Sequence, residues 1–261
     1  MPSGQVVQRL VDIIGHGRQG FALARRLAKE GVRTRADLKK SAILARLPRE
    51  SRANVLYNPT RNTSFDEAKA ISDEVKRRLV VKFADLPRSI RLKVIPVGSV
   101  RRKRDRVKDL DFLIVVPPKL LTSLQLKSAL AAAQLRPARR GDRVSFKTTY
   151  AEGSRRRSLI LRVEGSTKAK HYRADLFVTT TAEKPFALFH FTGGSAYNIR
   201  VRAHAKRKGW KLNQYGLFNI KNGHRVHGSS SIRTERDLAR FLDITYRHPK
   251  NRNEENGPAW D

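Results

Sequence analysis

An apolar segment with two acidic residues at its start constrains the fold of this chain more than any other feature. Asp109-Leu110-Asp111 leads into the apolar run Phe112–Val116, and Pro117-Pro118 ends it. A short apolar run bounded in this way is typical of a buried β-strand. Side chains alternate between the faces of a strand, so the two aspartates share one face, with their backbones roughly 6–7 Å apart. Like charges placed there are costly unless cations neutralise them.

A third carboxylate, Asp175, lies in a second strand-like segment, residues 172–177. Hard divalent cations prefer carboxylate oxygens, and two-metal sites hold their ions about 4 Å apart. An Asp-x-Asp pair with one Asp from a neighbouring strand can build such a site. We therefore predict that Asp109, Asp111 and Asp175 bind two divalent cations, Mg²⁺ or alternatively Mn²⁺, and catalyse phosphoryl transfer. The alternative interpretation of the pair is a cap and a surface charge.

The composition indicates a polyanionic partner. The chain has 56 Lys and Arg residues against 23 Asp and Glu residues, a formal net charge of +33. Such a charge favours nucleic acid, because each neutralised phosphate releases condensed counterions. No basic amphipathic helix, transmembrane run or signal peptide is recognisable, so we expect no membrane partner. The chain has no cysteine, which excludes disulfides, thiolate zinc sites and cysteine nucleophiles. We expect an intracellular, reducing location: nucleus, cytoplasm or virion.

The periodicity of apolar residues predicts an α+β fold with three domains. We predict a helical domain over residues 1–90, a sheet domain over 91–182 and a C-terminal domain over 183–261. Thr34 and Thr234 are expected to cap helices that reach Leu47 and the vicinity of Tyr246. A small hairpin after Leu212 should turn at Asn222-Gly223. The predicted mixed sheet of about five strands comprises residues 92–97, 110–116, 143–150, 158–163 and 172–179, with a helix from Leu120 to Gln134.

Two glycine turns are candidate phosphate-binding elements. Ile14-Gly15-His16-Gly17 between two helices is typical of a helix-hairpin-helix, whose backbone N–H groups can hold a phosphate. An ordinary helical turn is an equal alternative for these residues alone. Gly98-Ser99-Val100-Arg101-Arg102 offers backbone donors, a hydroxyl and a guanidinium, which suit triphosphate oxygens. A solvated basic turn would explain that segment by itself, but Asp109-x-Asp111 follows at a short distance and favours the phosphate site.

One further pair shares a helical face. Asn198 and Arg202 are four residues apart, and both can donate hydrogen bonds to minor-groove acceptors that all base pairs display in similar places. Such contacts test the shape of a base pair rather than its sequence. A solvated polar helix face is the alternative interpretation.

These motifs, in this order, resemble the X family of DNA polymerases in its polymerase β-like form, over nearly the whole chain. Phe191-Thr192-Gly193 and Leu212-Asn213-Gln214-Tyr215 complete the match. A Gly-Ser turn with Asp-x-Asp also fits poly(A)- and CCA-adding nucleotidyltransferases, but the Phe-Thr-Gly segment and the Asn/Arg helix favour the polymerases. Minimal polymerases of this kind resemble those of large DNA viruses.

The resemblance implies a nucleotidyltransferase palm, an N-terminal helix-hairpin-helix domain and a small C-terminal α+β domain. It implies a monomeric, template-directed DNA polymerase that adds a dNTP to a primer 3′-hydroxyl and fills short gaps in DNA repair, as in base excision repair. Asp109 and Asp111 would bind both metal ions and Asp175 the catalytic one. A cis peptide is expected around Phe191-Thr192-Gly193. Nucleotide contacts are implied for Gly98, Ser99, Arg102, His190, Phe191, Thr192, Gly193, Ser195 and Asn198, and DNA contacts for Gly15, His16, Gly17, Arg173, Arg202 and Tyr215.

Some features depart from the family pattern or leave alternatives open. The chain starts at the hairpin-bearing domain, so we expect no deoxyribose-phosphate lyase activity. His190 stands where the family has a Tyr that excludes ribonucleotides, and Ser195 replaces an acidic residue beside the incoming base. The connection at about Ala151–Arg156, which is long in terminal transferases, is short and basic here and favours templated synthesis. An end-joining or template-independent nucleotidyltransferase and a non-catalytic DNA-binding module are the alternatives.

Overall fold

A five-stranded mixed sheet forms the centre of the protein, which we describe from a computed structural model covering residues 3–83, 92–121 and 141–252. The predicted mixed sheet is confirmed. The strands are β2 (Lys93–Pro96), β4 (Leu110–Val116), β5 (Val144–Gly153), β6 (Arg156–Val163) and β7 (Lys170–Thr180), in the spatial order β2-β4-β7-β6-β5. β4 and β7 pair in parallel, and the other neighbours pair antiparallel. A separate pair joins β1 (Thr63–Ser64) to β3 (Arg106–Val107).

β4 is almost wholly apolar because both of its faces are covered. Phe112 and Ile114 pack into the main core with the helix α6 (Phe65–Phe83). Leu113 and Val115 pack on the opposite face against Ala187. Asp109 and Asp111 precede Leu113 by four and two residues, so their side chains project from this second face.

The N-terminal region is a bundle of short helices with its own core, which includes Leu10, Leu27 and Leu38. Thr34 and Asp37 form the predicted capping box. The predicted single helix to Leu47 is wrong, because the backbone of Lys40 is extended, with ψ of 133°, and separates two helices. The helices of this region are α1 (Gly4–Ile14), α2 (Arg18–Lys29), α3 (Arg35–Leu38), α4 (Ser41–Arg46) and α5 (Arg49–Tyr57).

The C-terminal region packs around Phe186, Tyr197, Leu217 and Leu238. A short helix, α7 (Gly98–Arg101), links β2 to β3 and contacts this region. The other elements are α8 (Lys184–Thr192), α9 (Ser195–Arg207), β8 (Trp210–Asn213), β9 (Gly216–Asn219) and α10 (Glu235–Phe241), and short 3₁₀ helices span Pro118–Leu120, Ser229–Ser231 and Pro249–Asn251.

Two local predictions in the C-terminal region need correction. The hairpin turns at Gln214-Tyr215, because the side-chain oxygen of Asn213 accepts hydrogen bonds from the backbone N–H groups of Tyr215 and Gly216. The Asn222-Gly223 turn instead returns the chain to β9. The helix capped by Thr234 ends at Phe241 rather than near Tyr246, and the backbone turns at Asp243, where φ is +54°.

The sequence-based domain bounds stay a prediction. Ala68, Ile71 and Val75 of α6 pack in the core of the sheet rather than with the N-terminal helices. The predicted helix Leu120–Gln134 falls almost entirely on residues 122–140, outside the described residues. Among the described residues, no helix combines the length and apolar character that crossing a membrane requires.

Candidate active site

The three predicted carboxylates lie together on two paired strands, at the start of β4 and in the middle of β7. In the parallel β4–β7 pair, Asp111 stands directly opposite Asp175. Asp109 lies one residue before β4 and contacts Arg173, with Nε 3.8 Å from its Oδ1. The alternation of side chains thus places all three acids on the face of the sheet that turns toward the C-terminal region.

The surroundings of this cluster disfavour the ionised form of its carboxyl groups. Burial, followed by the charges of Asp175 and Asp109, raises the pKa of Asp111 to about 7. Burial also raises the pKa of Asp109, although Arg173 opposes the shift. A carboxyl whose pKa rises in this way is stabilised either by a proton or by a cation.

The donor chemistry of the cluster fits divalent cations, but the present side-chain orientations do not enclose one. In the described part of the chain, no three His, Cys, Asp or Glu side chains adopt the geometry of a metal site. The carboxylate of Asp175 accepts hydrogen bonds from Ser158 Oγ and from Arg156 Nη2, the latter at 3.1 and 3.2 Å. Hard oxygen ligands with excess negative charge remain the donor set that Mg²⁺ or Mn²⁺ prefers.

Gly98 can be only glycine in this arrangement. Its φ is +57°, and a Cβ atom there would lie 2.0 Å from Asp111 Oδ2. The backbone N–H of Val97 also donates to the carbonyl of Asp111 at 2.8 Å. The Gly-Ser turn and the carboxylate pair are therefore parts of one site.

A basic cavity of about 370 Å³ adjoins this turn. Arg102 donates to the carbonyl of Thr192 at 2.7 Å and to Ser99 Oγ at 3.2 Å, so the turn is tied to the end of α8. Sequence reasoning missed two of the basic residues, because nothing in their spacing distinguishes them from other surface charges. The cavity is lined by Ser99, Arg102, Arg104, Lys108, Gly193, Gly194 and Ser195.

The loop between α8 and α9 is held by Asn198. Its side-chain amide donates to the carbonyl of His190 at 2.6 Å, and a Cβ on Gly193 would come within 2.5 Å of its oxygen. Burial and the charge of Arg202 lower the pKa of His190. The expected cis peptide at Phe191-Thr192-Gly193 is wrong, because the described residues contain no cis peptide bond.

The helix-hairpin-helix turn faces Asp109 and Arg173 across a second cavity of about 410 Å³. Gly15 and Gly17 have φ of +127° and +100°, which disfavours other residues. Gly20, which the sequence did not single out, lies so near that a Cβ would be 2.0 Å from the carbonyl oxygen of Gly15. His16 lines the same cavity.

Arg173 connects the helical region to the sheet. Its Nη2 donates to Glu50 of α5 at 2.6 Å, and its Nε donates to the hydroxyl of Tyr150 at 3.1 Å. Glu50 gave no sequence signal, because the contact depends on how α5 docks. Tyr215 lies apart from this group, in the β8–β9 turn, where the guanidinium carbon of Arg155 is 4.7 Å from its ring centre.

Known proteins resemble this chain in sequence and in fold. The family model "DNA polymerase beta thumb" matches residues 187–253. A "Repair DNA polymerase X" from an African swine fever virus isolate is 39% identical over 190 residues, which is 72% of this chain and 98% of that protein. Human "DNA-directed DNA/RNA polymerase mu" is 26% identical over 90% of this chain and 50% of its own length.

The fold agrees with these similarities. A polymerase beta from Leishmania infantum, solved as a ternary complex, superposes with a TM-score of 0.76 at 20% identity, over 97% of this chain and all of that one. That likeness shows the fold, and the viral relative shows the family. The chain therefore belongs to the X family of DNA polymerases.

Proposed function

We propose that this protein is a template-directed DNA polymerase that fills short gaps during DNA repair. The observation that carries the proposal is the juxtaposition of three like-charged carboxylates with a basic cavity across Gly98. Asp109, Asp111 and Asp175 would hold two divalent cations, Mg²⁺ or Mn²⁺. When bound, such ions lower the pKa of the primer hydroxyl and neutralise the leaving pyrophosphate.

The basic cavity is the place for the triphosphate of a dNTP. Ser99 offers a hydroxyl and Arg102 a charge-assisted donor, and Arg104 and Lys108 add positive charge on the same wall. Gly193 lines the same cavity and would lie beside the sugar. Asn198 keeps this wall in position through the carbonyl of His190.

DNA would enter across the face that the helix-hairpin-helix turn shares with the carboxylates. The backbone N–H groups near Gly15 and Gly17 would hold a primer phosphate, and Arg173 would contact the primer terminus. Arg202 would reach the nascent base pair or template from α9. The net charge of +33 supports capture of DNA through its phosphates.

The short β5–β6 connection favours templated synthesis over terminal transfer. β5 ends at Gly153 and β6 begins at Arg156, so only Ser154 and Arg155 join them. A loop of this length cannot occupy the place of a template strand. The expected absence of lyase activity stays a prediction, to be checked on a 5′-deoxyribose-phosphate flap.

The test is single-nucleotide addition to a one-nucleotide-gapped duplex with each dNTP separately. We expect the wild type to add only the complementary nucleotide. Asp175→Asn should abolish addition and keep the affinity for DNA, whereas Asp243→Asn, which alters an exposed carboxyl paired with Lys208, should behave like the wild type.

Three results would contradict the proposal. Tailing of a single strand would instead indicate a terminal transferase. No addition on any substrate would indicate a non-catalytic DNA-binding module. Full synthesis by Asp175→Asn would refute the assignment of the metal ligands.

A further inference from the structure

We propose that Arg156 controls the access of a divalent cation to Asp175, an inference that rests on the proposed function. Arg156 Nη2 lies 3.2 and 3.1 Å from the two carboxylate oxygens of Asp175. A metal ion would need the same oxygens. Arg156 therefore acts on the reaction as a positioning residue, through Asp175, and must leave this carboxylate before a cation can occupy it.

The two arginines beside the cluster are held very differently. Arg173 is only 16% exposed and is anchored by Glu50 and Tyr150 as well as facing Asp109. Arg156 is 52% exposed, and among the described residues its side chain has Asp175 as its hydrogen-bonding partner. Asp175 is only 14% exposed, but the guanidinium half of the pair is open to water and has no buried anchor, so it can leave the carboxylate more readily than Arg173 can leave its partners. Arg156 is thus a removable counter-ion, whereas Arg173 is a fixed one.

The surroundings allow Arg156 to move while its neighbours stay in place. Its guanidinium carbon lies 5.7 Å from the ring centre of Phe177, which in turn stacks on Phe191 at 4.0 Å. A cavity of about 340 Å³, lined by Arg156 and both rings, adjoins the contact. The displaced side chain can enter this space, and Ser158 still donates to Asp175 and orients the carboxylate.

The experiment is a calorimetric Mn²⁺ titration of the purified protein without DNA. We expect Arg156→Gln to bind Mn²⁺ about two- to fivefold more tightly than the wild type, because the competing ion pair is gone. The control is Arg162→Gln, which removes the same charge from the same face of β6, roughly 20 Å away. Arg162 is similarly exposed and pairs with Glu164, so its loss should leave the Mn²⁺ affinity nearly unchanged.

A double-mutant cycle assigns the effect to the contact itself. In the Asp175→Asn background, Arg156→Gln should no longer change Mn²⁺ affinity. Arg156→Lys keeps the charge but loses the planar fork, and its affinity should lie between those of wild type and Arg156→Gln.

Equal Mn²⁺ affinity in wild type and Arg156→Gln would overturn the inference, as would an equal gain in Arg162→Gln or in the Asp175→Asn background. None of these results would touch the proposed function, which is tested separately by nucleotide addition to the gapped duplex.

Discussion

Two clusters of charge flank the Gly98–Arg101 helix, and they are built in opposite ways. In the palm, three carboxylates face one another and the pKa of Asp111 rises to about 7. In the C-terminal region, Glu235 is only 7% exposed and lies between two arginines. It accepts from Arg101 at 2.5 Å and from the fully buried Arg252 at 2.7 Å.

The difference shows that a buried carboxylate can either stabilise the fold, when arginines neutralise it, or remain available to a ligand, when they do not. Burial alone would raise the pKa of Glu235, but the hydrogen bonds and charges of Arg101 and Arg252 lower it overall. The Glu235 carboxylate is thus neutralised within the protein, and it ties α7 to the C-terminal region. In the palm the pKa values of Asp109 and Asp111 are raised instead, so that cluster gains most from a cation supplied from outside.

The Arg101–Glu235–Arg252 group is the balanced cluster, and disrupting it should have the largest effect on stability. Glu235→Gln leaves Arg252 buried beside an uncharged partner, and removing one member of a buried pair costs about 3–5 kcal/mol. We expect urea denaturation to show a loss of this size in the free energy of unfolding.

The control for this substitution is Glu164→Gln, which alters an exposed pair with Arg162. That change should stay within about 1 kcal/mol of the wild type. An equally small loss in Glu235→Gln would show that the balanced cluster contributes nothing specific.

Removing one charge from the carboxylate cluster of the palm should instead increase the stability of the protein. The pKa of Asp111 rises from 3.8 to about 7 on folding, so the native state binds this proton more tightly than the unfolded state. Its contribution to stability is present below about pH 4 and is lost as the pH rises to about 7, by at most about 4 kcal/mol. In EDTA at pH 8, Asp111→Asn should therefore unfold at a higher urea concentration than the wild type.

The same comparison at about pH 4 should show little difference, because Asp111 is protonated in the native state there. A variant that is less stable than the wild type at pH 8 would contradict the like-charge account. Gap filling by this variant should be lost.

The smallest effect concerns Glu50, which anchors Arg173 beside the carboxylate cluster of the palm. Glu50→Gln removes the negative charge that holds Nη2 of Arg173, so the guanidinium is held less firmly and can approach Asp109 and partly neutralise the cluster. We expect Mn²⁺ to bind about two- to fivefold more weakly by calorimetry, the reverse of the change expected for Arg156→Gln. Unchanged or tighter binding would show that Glu50 does not position Arg173, and Glu164→Gln again serves as the control.

The sequence predicted the parts of this comparison that depend on local pattern. The bounds of β4 agree with the prediction because an apolar run between Asp109 and Pro117 leaves little freedom. The capping boxes of Thr34 and Thr234 follow from three-residue spacing. The proximity of Asp111 to Asp175 required only that two such strands pair.

The contacts of Arg156 and Glu50 with the site could not be predicted from the sequence. Arg156 reaches Asp175 because β6 pairs with β7 in one particular register, and Glu50 reaches Arg173 because α5 docks beside β5. Neither arrangement leaves a short-range pattern. The misplaced hairpin turn has a similar cause: Asn222-Gly223 does form a turn, but Asn213 closes the hairpin first.

The most direct test of the central claim is the urea midpoint at pH 8 in EDTA and in excess Mg²⁺. If the palm carboxylates form a divalent-cation site, Mg²⁺ should raise the midpoint of the wild type, and binding at a hundredfold excess over Kd adds about 2.7 kcal/mol. Glu235→Gln should keep this response despite its lower stability, and Asp111→Asn should lose it. An equal response to Mg²⁺ in wild type and Asp111→Asn would contradict the account.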